Sequence, residues 1–360
     1  MAGLSRVKIA SATAIMSGEE DSAPRINFVA IYQSPRGEYE LQRRVMEDEQ
    51  LHNLDQWRKA GPIFRPAQFA RMLSIFERTI GIGSIHAANF VGLCYLNGKV
   101  RVNEGKDCFF TDPKQQCPYN DFSFHRGMRG HVYDIMTAYQ DTFKNNAAAL
   151  ALTWVVGAQL KLFLGFWPHM IMQADKGRGK STLIKRLERT TGMKMFSGQS
   201  MGTEYRLLTS VSGTSHPIGW EEISARKTEI IQRAVSLLQE CYQYTETTRG
   251  SAQTHFLVSA PVLLAGEDVP VESITGKTVR TNLNHGKGAL LDENLPKFPM
   301  YEWCQWLAEL PKSTVLDCYK NALGKCQLYS RARADDSGAQ RMVTNYAALM
   351  TAWRLIRTFG

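Results

Sequence analysis

The stretch that decides the fold runs His169-Met-Ile-Met-Gln-Ala-Asp-Lys-Gly-Arg-Gly-Lys-Ser-Thr182. It opens on a short apolar strand, His169 to Gln173, and continues as Ala174, Asp175, Lys176, Gly177, Arg178, Gly179, Lys180, Ser181 and Thr182. This is the GxxxxGK[ST] pattern of a phosphate-binding loop, with Ala174 in place of the first glycine. The chemistry explains the residue types. Backbone N–H groups must wrap closely around phosphate, which calls for glycine. A helix from Gly179 to about Thr191 aims its positive end at the same anion. Lys180 is placed to reach the β- and γ-phosphates of ATP, and the Ser181 hydroxyl to hold Mg²⁺. A chance Gly-Lys-Ser in a surface loop would not need an apolar strand before it and an amphipathic helix after it.

Working outward, Pro217-Ile-Gly-Trp-Glu221-Glu222 is an apolar strand ending in two acids. In a nucleotide site Glu221 would bind Mg²⁺ and Glu222 would polarise the attacking water. The alternative is a solvated pair that opens the next helix, where acids suit the dipole. Phe256 to Asp268 is a buried strand that turns polar at Glu267 and Asp268, either a sensor beside the γ-phosphate or a plain strand-end loop. Further strands are expected at Met193 to Phe196, Pro217 to Trp220 and Phe256 to Ala265. Helices are expected near Thr203 to Val211 and Ala225 to Tyr242. This alternation predicts an α/β layer with a mainly parallel sheet. Tyr242 to His255 reads as a β-hairpin with Arg249-Gly250 at its tip. It is either a nucleic-acid contact or plain structure. Lys277, Arg280 and Arg341 are cations that could neutralise a transferred phosphate, or surface charges.

The rest of the 360-residue chain frames this core. Residues 1–25 are small and polar and are expected to be a flexible tail or linker. Residues 26–130 read as a small α+β domain. It has a strand at Ile26 to Gln33, a charged helix at Tyr39 to Leu54 and a second helix at Pro66 to Arg78. Asn97-Gly98 marks a hairpin turn within Asn89 to Val102. Residues 131–165 are expected to form a helical linker, 166–295 the ATPase core and 296–360 a helical lid. Ala147 to Met172 is long and apolar, but Gln159, Lys161, Pro168 and His169 argue for a buried helix rather than a membrane span.

Composition agrees with this. Hydrophobic residues make up 44% and charged residues 21%, an ordinary globular balance that allows a sizeable core. The net charge of +9 favours a polyanionic partner, nucleic acid first. Seven scattered cysteines without a CxxC pair, and no signal peptide at Met1, point to free thiols in a reducing, cytoplasmic setting. Cys108, Cys117 and His125 are candidate zinc ligands, although their spacing matches no tight knuckle; packing positions are the other reading.

The order of phosphate loop, acidic strand end, long helix, hairpin, polar-ended strand, basic segment and helical lid resembles AAA+ ATPases of the MCM-like branch. More narrowly, the chain resembles helicase or primase–helicase proteins of bacterial integrative and conjugative elements. The likeness rests on Trp154 to Arg186, His216 to Ala225, Ser259 to Val271, the final GAQRMVTNYAALMTAW and the early NFVGLCYLNGKV. It implies a ring-forming, DNA-dependent ATPase that uses ATP and Mg²⁺, acts on DNA, single-stranded in the first instance, and replicates a mobile element. A loader or nucleotide switch that does not unwind DNA is the alternative. By position, Lys180 and Ser181 bind nucleotide and Mg²⁺, and Glu221 and Glu222 form the acidic pair. Lys277 or Arg280 falls at the arginine finger, Arg341 at a second sensor, and the loop around Arg249 and Gly250 faces DNA. Glu267 stands where MCM-like enzymes carry Asn.

Overall fold

The computed structural model describes residues 7–33, 41–60, 65–79, 85–111, 116–221, 228–249, 254–266, 272–331, 333 and 335–360. The chain opens with β1 (Val7–Met16), β2 (Arg25–Gln33) and β3 (Leu41–Met46), then α1 (Asp48–His52), α2 (Leu54–Ala60) and α3 (Pro66–Thr79), then β4 (Ile85–Ala88). The four strands lie in the order β3-β2-β1-β4, with β1 antiparallel to β2 and parallel to β4. Ala30, Met46, Leu51, Trp57 and Phe69 form this unit's own core, and the Trp57 indole donates to the Leu51 carbonyl at 2.8 Å.

Two expectations change here. Val7–Met16, expected within a flexible tail, is a strand paired on both sides. Ala12, Thr13, Ala14 and Ile15 are all buried, so the strand shows no polar–apolar alternation and its small residues read as a tail. The expected helix from Tyr39 is instead β3 followed by a single turn of helix. Pairing with β2 overrides the local pattern, and the charge that suggested an exposed helix is used across the fold. Arg43 lies over the Phe109 ring at 4.1 Å and donates to the Cys108 carbonyl at 2.6 Å.

β5 (Gly92–Leu96) and β6 (Lys99–Asn103) form the expected hairpin. Asn97 and Gly98 both take positive φ, 54° and 70°, as a two-residue turn of this twist requires. Val91, Leu93 and Tyr95 belong to the large core of the rest of the chain, so this hairpin packs with the larger body.

That body begins with α4 (His131–Thr142), α5 (Ala147–Gly157) and α6 (Lys161–Leu164), and then winds its sheet. β7 (His169–Gln173) leads to α7 (Lys180–Thr191), β8 (Lys194–Ser197), α8 (Glu204–Ser210), β9 (Ile218–Glu221) and α9 (Thr228–Cys241). An antiparallel hairpin, β10 (Thr245–Arg249) and β11 (Thr254–Val258), precedes β12 (Val262–Ala265) and β13 (Thr278–Asn282). The sheet order is β13-β7-β12-β9-β8, with every neighbouring pair parallel. Phe256 to Ala265, read as one strand, is two. The Ser259 and Ala260 N–H groups turn aside to the Val211 carbonyl at 2.8 and 2.9 Å, and Pro261 has no N–H to continue a ladder.

α10 (Met300–Glu309), α11 (Lys312–Tyr329) and α12 (Ser337–Phe359) complete the chain. Residues 131–165, expected as a linker, supply a helix layer of the core. Ala147–Leu164 is apolar and long enough to span a membrane, yet 89% of it is buried inside the protein. Gly157 allows the closest approach: a Cβ there would lie 2.4 Å from the Ala352 Cβ of α12 and 2.8 Å from the Trp167 ring. The last helix of the expected lid is thereby locked onto the helix layer of the core.

Candidate nucleotide site

In a parallel sheet the strands' carboxyl ends share one edge, and a crevice opens where successive connections diverge. Here that point is β7. The chain leaves β7 for the far edge at β8, returns through β9 and β12, and crosses to β13 on the other side. The loop that the sequence pattern reads as phosphate-binding sits at this point, between β7 and α7. Gly177 and Gly179 take φ of 76° and 97°, conformations costly for any residue with a Cβ. Ala174 is buried and is not among the positive-φ residues, so alanine fits the position where the motif has its first glycine. The Arg178 N–H donates to the Asp175 carbonyl at 3.2 Å, curling the loop, and Lys180 opens the helix. Ser181 and Thr182 are exposed in the first turn, where the N–H groups have no helical partner.

The register carries the acid to the same edge. Ala265 pairs with Met172 on one side and with Glu221 on the other, so Glu221 ends β9 level with the end of β7. Two strand spacings put their backbones about 10 Å apart. Glu188 on α7 adds a carboxyl whose pKa is raised by burial first and then by the Glu221 charge, against the Met195 N–H bond, which lowers it. Glu222, Glu267, Asp268 and Gly250 lie outside the described residues, as does the side chain of Arg249.

The three cations are not brought to the loop. Lys277 precedes β13 at the opposite edge of the sheet, next to Thr278, which pairs with His169 at the start of β7. Its Nζ donates to the Gln239 carbonyl at 2.8 Å in the last turn of α9. Partial burial and then the Arg341 charge lower its pKa. Arg341 lies beside it: its Cδ is 3.5 Å from where a Cβ on Gly276 would stand. Arg280 sits mid-strand on β13 opposite Ile171, exposed.

Sequence reasoning missed the segment after β13. The Asn284 Oδ1 accepts from the Asp175 N–H at 2.9 Å, and Lys287 Nζ donates to the Gly177 carbonyl at 3.2 Å. A lysine between two glycines, Gly286-Lys287-Gly288, was the available signal.

Hairpin β10–β11 stands at the other edge of the sheet, just before the start of β12. Arg249 pairs with Thr254 at its far end, and Glu246 is tied to Arg25 of β2 at 2.9 Å. Cys108 and Cys117 are buried thiols whose Sγ atoms face the carbonyls of Phe90 and Gly213 at 3.2 and 3.5 Å, and His125 Nδ1 faces the Thr190 carbonyl at 3.4 Å. Among the described residues no group of three or more His, Cys, Asp or Glu side chains could hold a metal ion.

No protein-family model matches this chain, and no curated protein does. Among solved structures it is similar to one described as "SCCmec type IV Cch - active helicase". The TM-score is 0.63 at 13% identity, over 99% of this chain and 70% of that one. The two have the same fold. Two structures of the NrS-1 C-terminal region align more distantly, at TM-scores of 0.35 and 0.32 and identities of 10% and 8%. They cover 92% of this chain and 85% and 88% of theirs, too distant to bear on the fold.

Proposed function

We propose that the chain is an ATP-hydrolysing motor acting on DNA, a helicase in the replication of a mobile genetic element. The observation that carries this reading is the register that sets Glu221 level with the end of the phosphate-loop strand, two strands away. The residues present fit ATP and Mg²⁺: two glycines hold left-handed conformations in the loop, and free N–H groups open α7 behind Lys180. Mg²⁺ supplies neutralisation of the phosphate charge. Ser181 and Glu221 hold it, Lys180 binds the β- and γ-phosphates, and Glu222 polarises the attacking water. Glu267 senses the γ-phosphate, and Arg280 or Lys277 acts toward the site of a neighbouring copy in a ring.

The net charge of +9 and the fold shared with a protein described as an active helicase support DNA as the partner. The Arg249-Gly250 tip is the proposed contact with a single strand. Displacement of a labelled strand from a partial duplex, with ATP and Mg²⁺, tests the reading. Wild type should release the strand and Lys180→Ala should not. Hydrolysis on DNA without displacement would assign the chain to loaders or switches instead.

A further inference from the structure

The segment Asn282-Leu-Asn-His-Gly-Lys-Gly288 crosses the mouth of the phosphate loop from the β13 side. Its backbone is stitched to the last turn of α4 and to the α4–α5 connection. The Lys144 N–H donates to the Gly286 carbonyl at 3.3 Å, the Gly288 N–H to Thr142 at 2.8 Å and the Ala289 N–H to Asp141 at 2.8 Å. Gly288 is required there, because a Cβ would stand 1.9 Å from the Asp141 carbonyl oxygen. Gly286 takes a φ of 106°. The two glycines thus hold Lys287 in a close pass over the loop. Its Nζ donates to the Gly177 carbonyl, and its Cε lies 3.8 Å from where a Cβ on Gly179 would be. Asn284 fixes the other end of the same loop through the Asp175 N–H.

An ammonium has three donors, and the Gly177 carbonyl takes one. A polyphosphate in the loop offers charged oxygens, stronger acceptors than a backbone carbonyl, within the swing of a flexible side chain. The strand order sets Lys287 on the β13 side of β7 and Glu221 on the β12–β9 side, so the two flank the loop from opposite directions.

We propose that Lys287 is a second phosphate-binding lysine, which holds the terminal phosphate of a nucleoside triphosphate and ties occupancy of the loop to the α4–α5 connection. The proposal rests on the reading of the loop as an ATP site.

The test is equilibrium binding of fluorescent N-methylanthraniloyl ATP and ADP, with Mg²⁺, to wild type, Lys287→Ala, Lys287→Arg and Lys180→Ala. Lys287→Ala should weaken the triphosphate roughly tenfold or more and the diphosphate less. Lys287→Arg should recover most of the loss, and the melting temperature without nucleotide should be unchanged. Equal triphosphate affinity in Lys287→Ala and wild type, with binding lost in Lys180→Ala, overturns this inference alone. Absence of binding to folded wild type overturns both it and the ATP-site reading.

Discussion

The Lys161 ammonium donates to the backbone carbonyl of Cys241 at 2.6 Å in a site closed to solvent. It also donates to the Ser259 carbonyl at 2.6 Å. Cys241 ends α9 and Ser259 follows β11, so one cation joins the two stems between which hairpin β10–β11 is inserted. Burial pushes the Lys161 pKa down to about 7, while the partial negative charge of a helix end favours its cation. Lys161→Met should leave two buried carbonyls unpaired and lower stability by about 2 kcal/mol. Urea unfolding reads the loss, and hydrogen exchange should rise in Thr245–Val258 more than in β9. An unchanged midpoint would remove the clamp from the account.

His169 predicts a pH dependence. Its Nδ1 accepts from the Val262 N–H at 3.1 Å, so Nε2 carries the hydrogen and donates to the Leu238 carbonyl at 2.7 Å. Burial drives its pKa to about 3, and that of His216, enclosed by Tyr119, Phe122 and Phe124, also to about 3. An unfolded imidazole binds its proton near pH 6.5, so the unfolded state holds more protons between about 6.5 and 3. The stabilising contribution is complete above 6.5 and is lost as pH falls through that window, at about 1.4 kcal/mol per pH unit for each imidazole. Unfolding of wild type and His169→Gln at pH 7.5 and 5.5 checks the sign. The variant should be less stable at both but lose less on acidification; identical losses would contradict it.

The loop glycines predict an order of effects. Alanine at Gly177 or Gly179 must hold a left-handed conformation, at about 1–2 kcal/mol. ATP affinity should fall roughly tenfold in Gly177→Ala and Gly179→Ala. Ala174→Gly, at a position outside the positive-φ set, should stay within about twofold of wild type. Isothermal titration reads all three, and a large change in Ala174→Gly alone would show that the first motif position sets the loop's shape.

What the sequence made legible follows from locality. The strand–loop–helix turn through Gly177 and Gly179, the Asn97-Gly98 turn and the helix from Pro66 are each specified within a few residues, and each of these local shapes stands where expected. The strand β1 was hidden because Ala12, Thr13 and Ala14 are buried without alternating. The ends of the sheet were not legible either. Lys277 and Lys287 flank the same strand, yet one reaches the last turn of α9 and the other the phosphate loop. Only the direction of β13 in the sheet separates them.

The hairpin tip predicts a salt signature. If Arg249 contacts a backbone phosphate, Arg249→Ala should weaken single-stranded DNA binding alike for all sequences. The slope of log K against log salt should shrink by about 0.7. Fluorescence anisotropy at several salt concentrations reads both, and an unchanged slope would place DNA elsewhere on the molecule.

The most direct measurement is ATP hydrolysis by wild type and Lys180→Ala, each with and without single-stranded DNA, in excess Mg²⁺. The account predicts hydrolysis that rises with DNA in wild type and vanishes in Lys180→Ala. Hydrolysis indifferent to DNA, or equal in the two proteins, would contradict it.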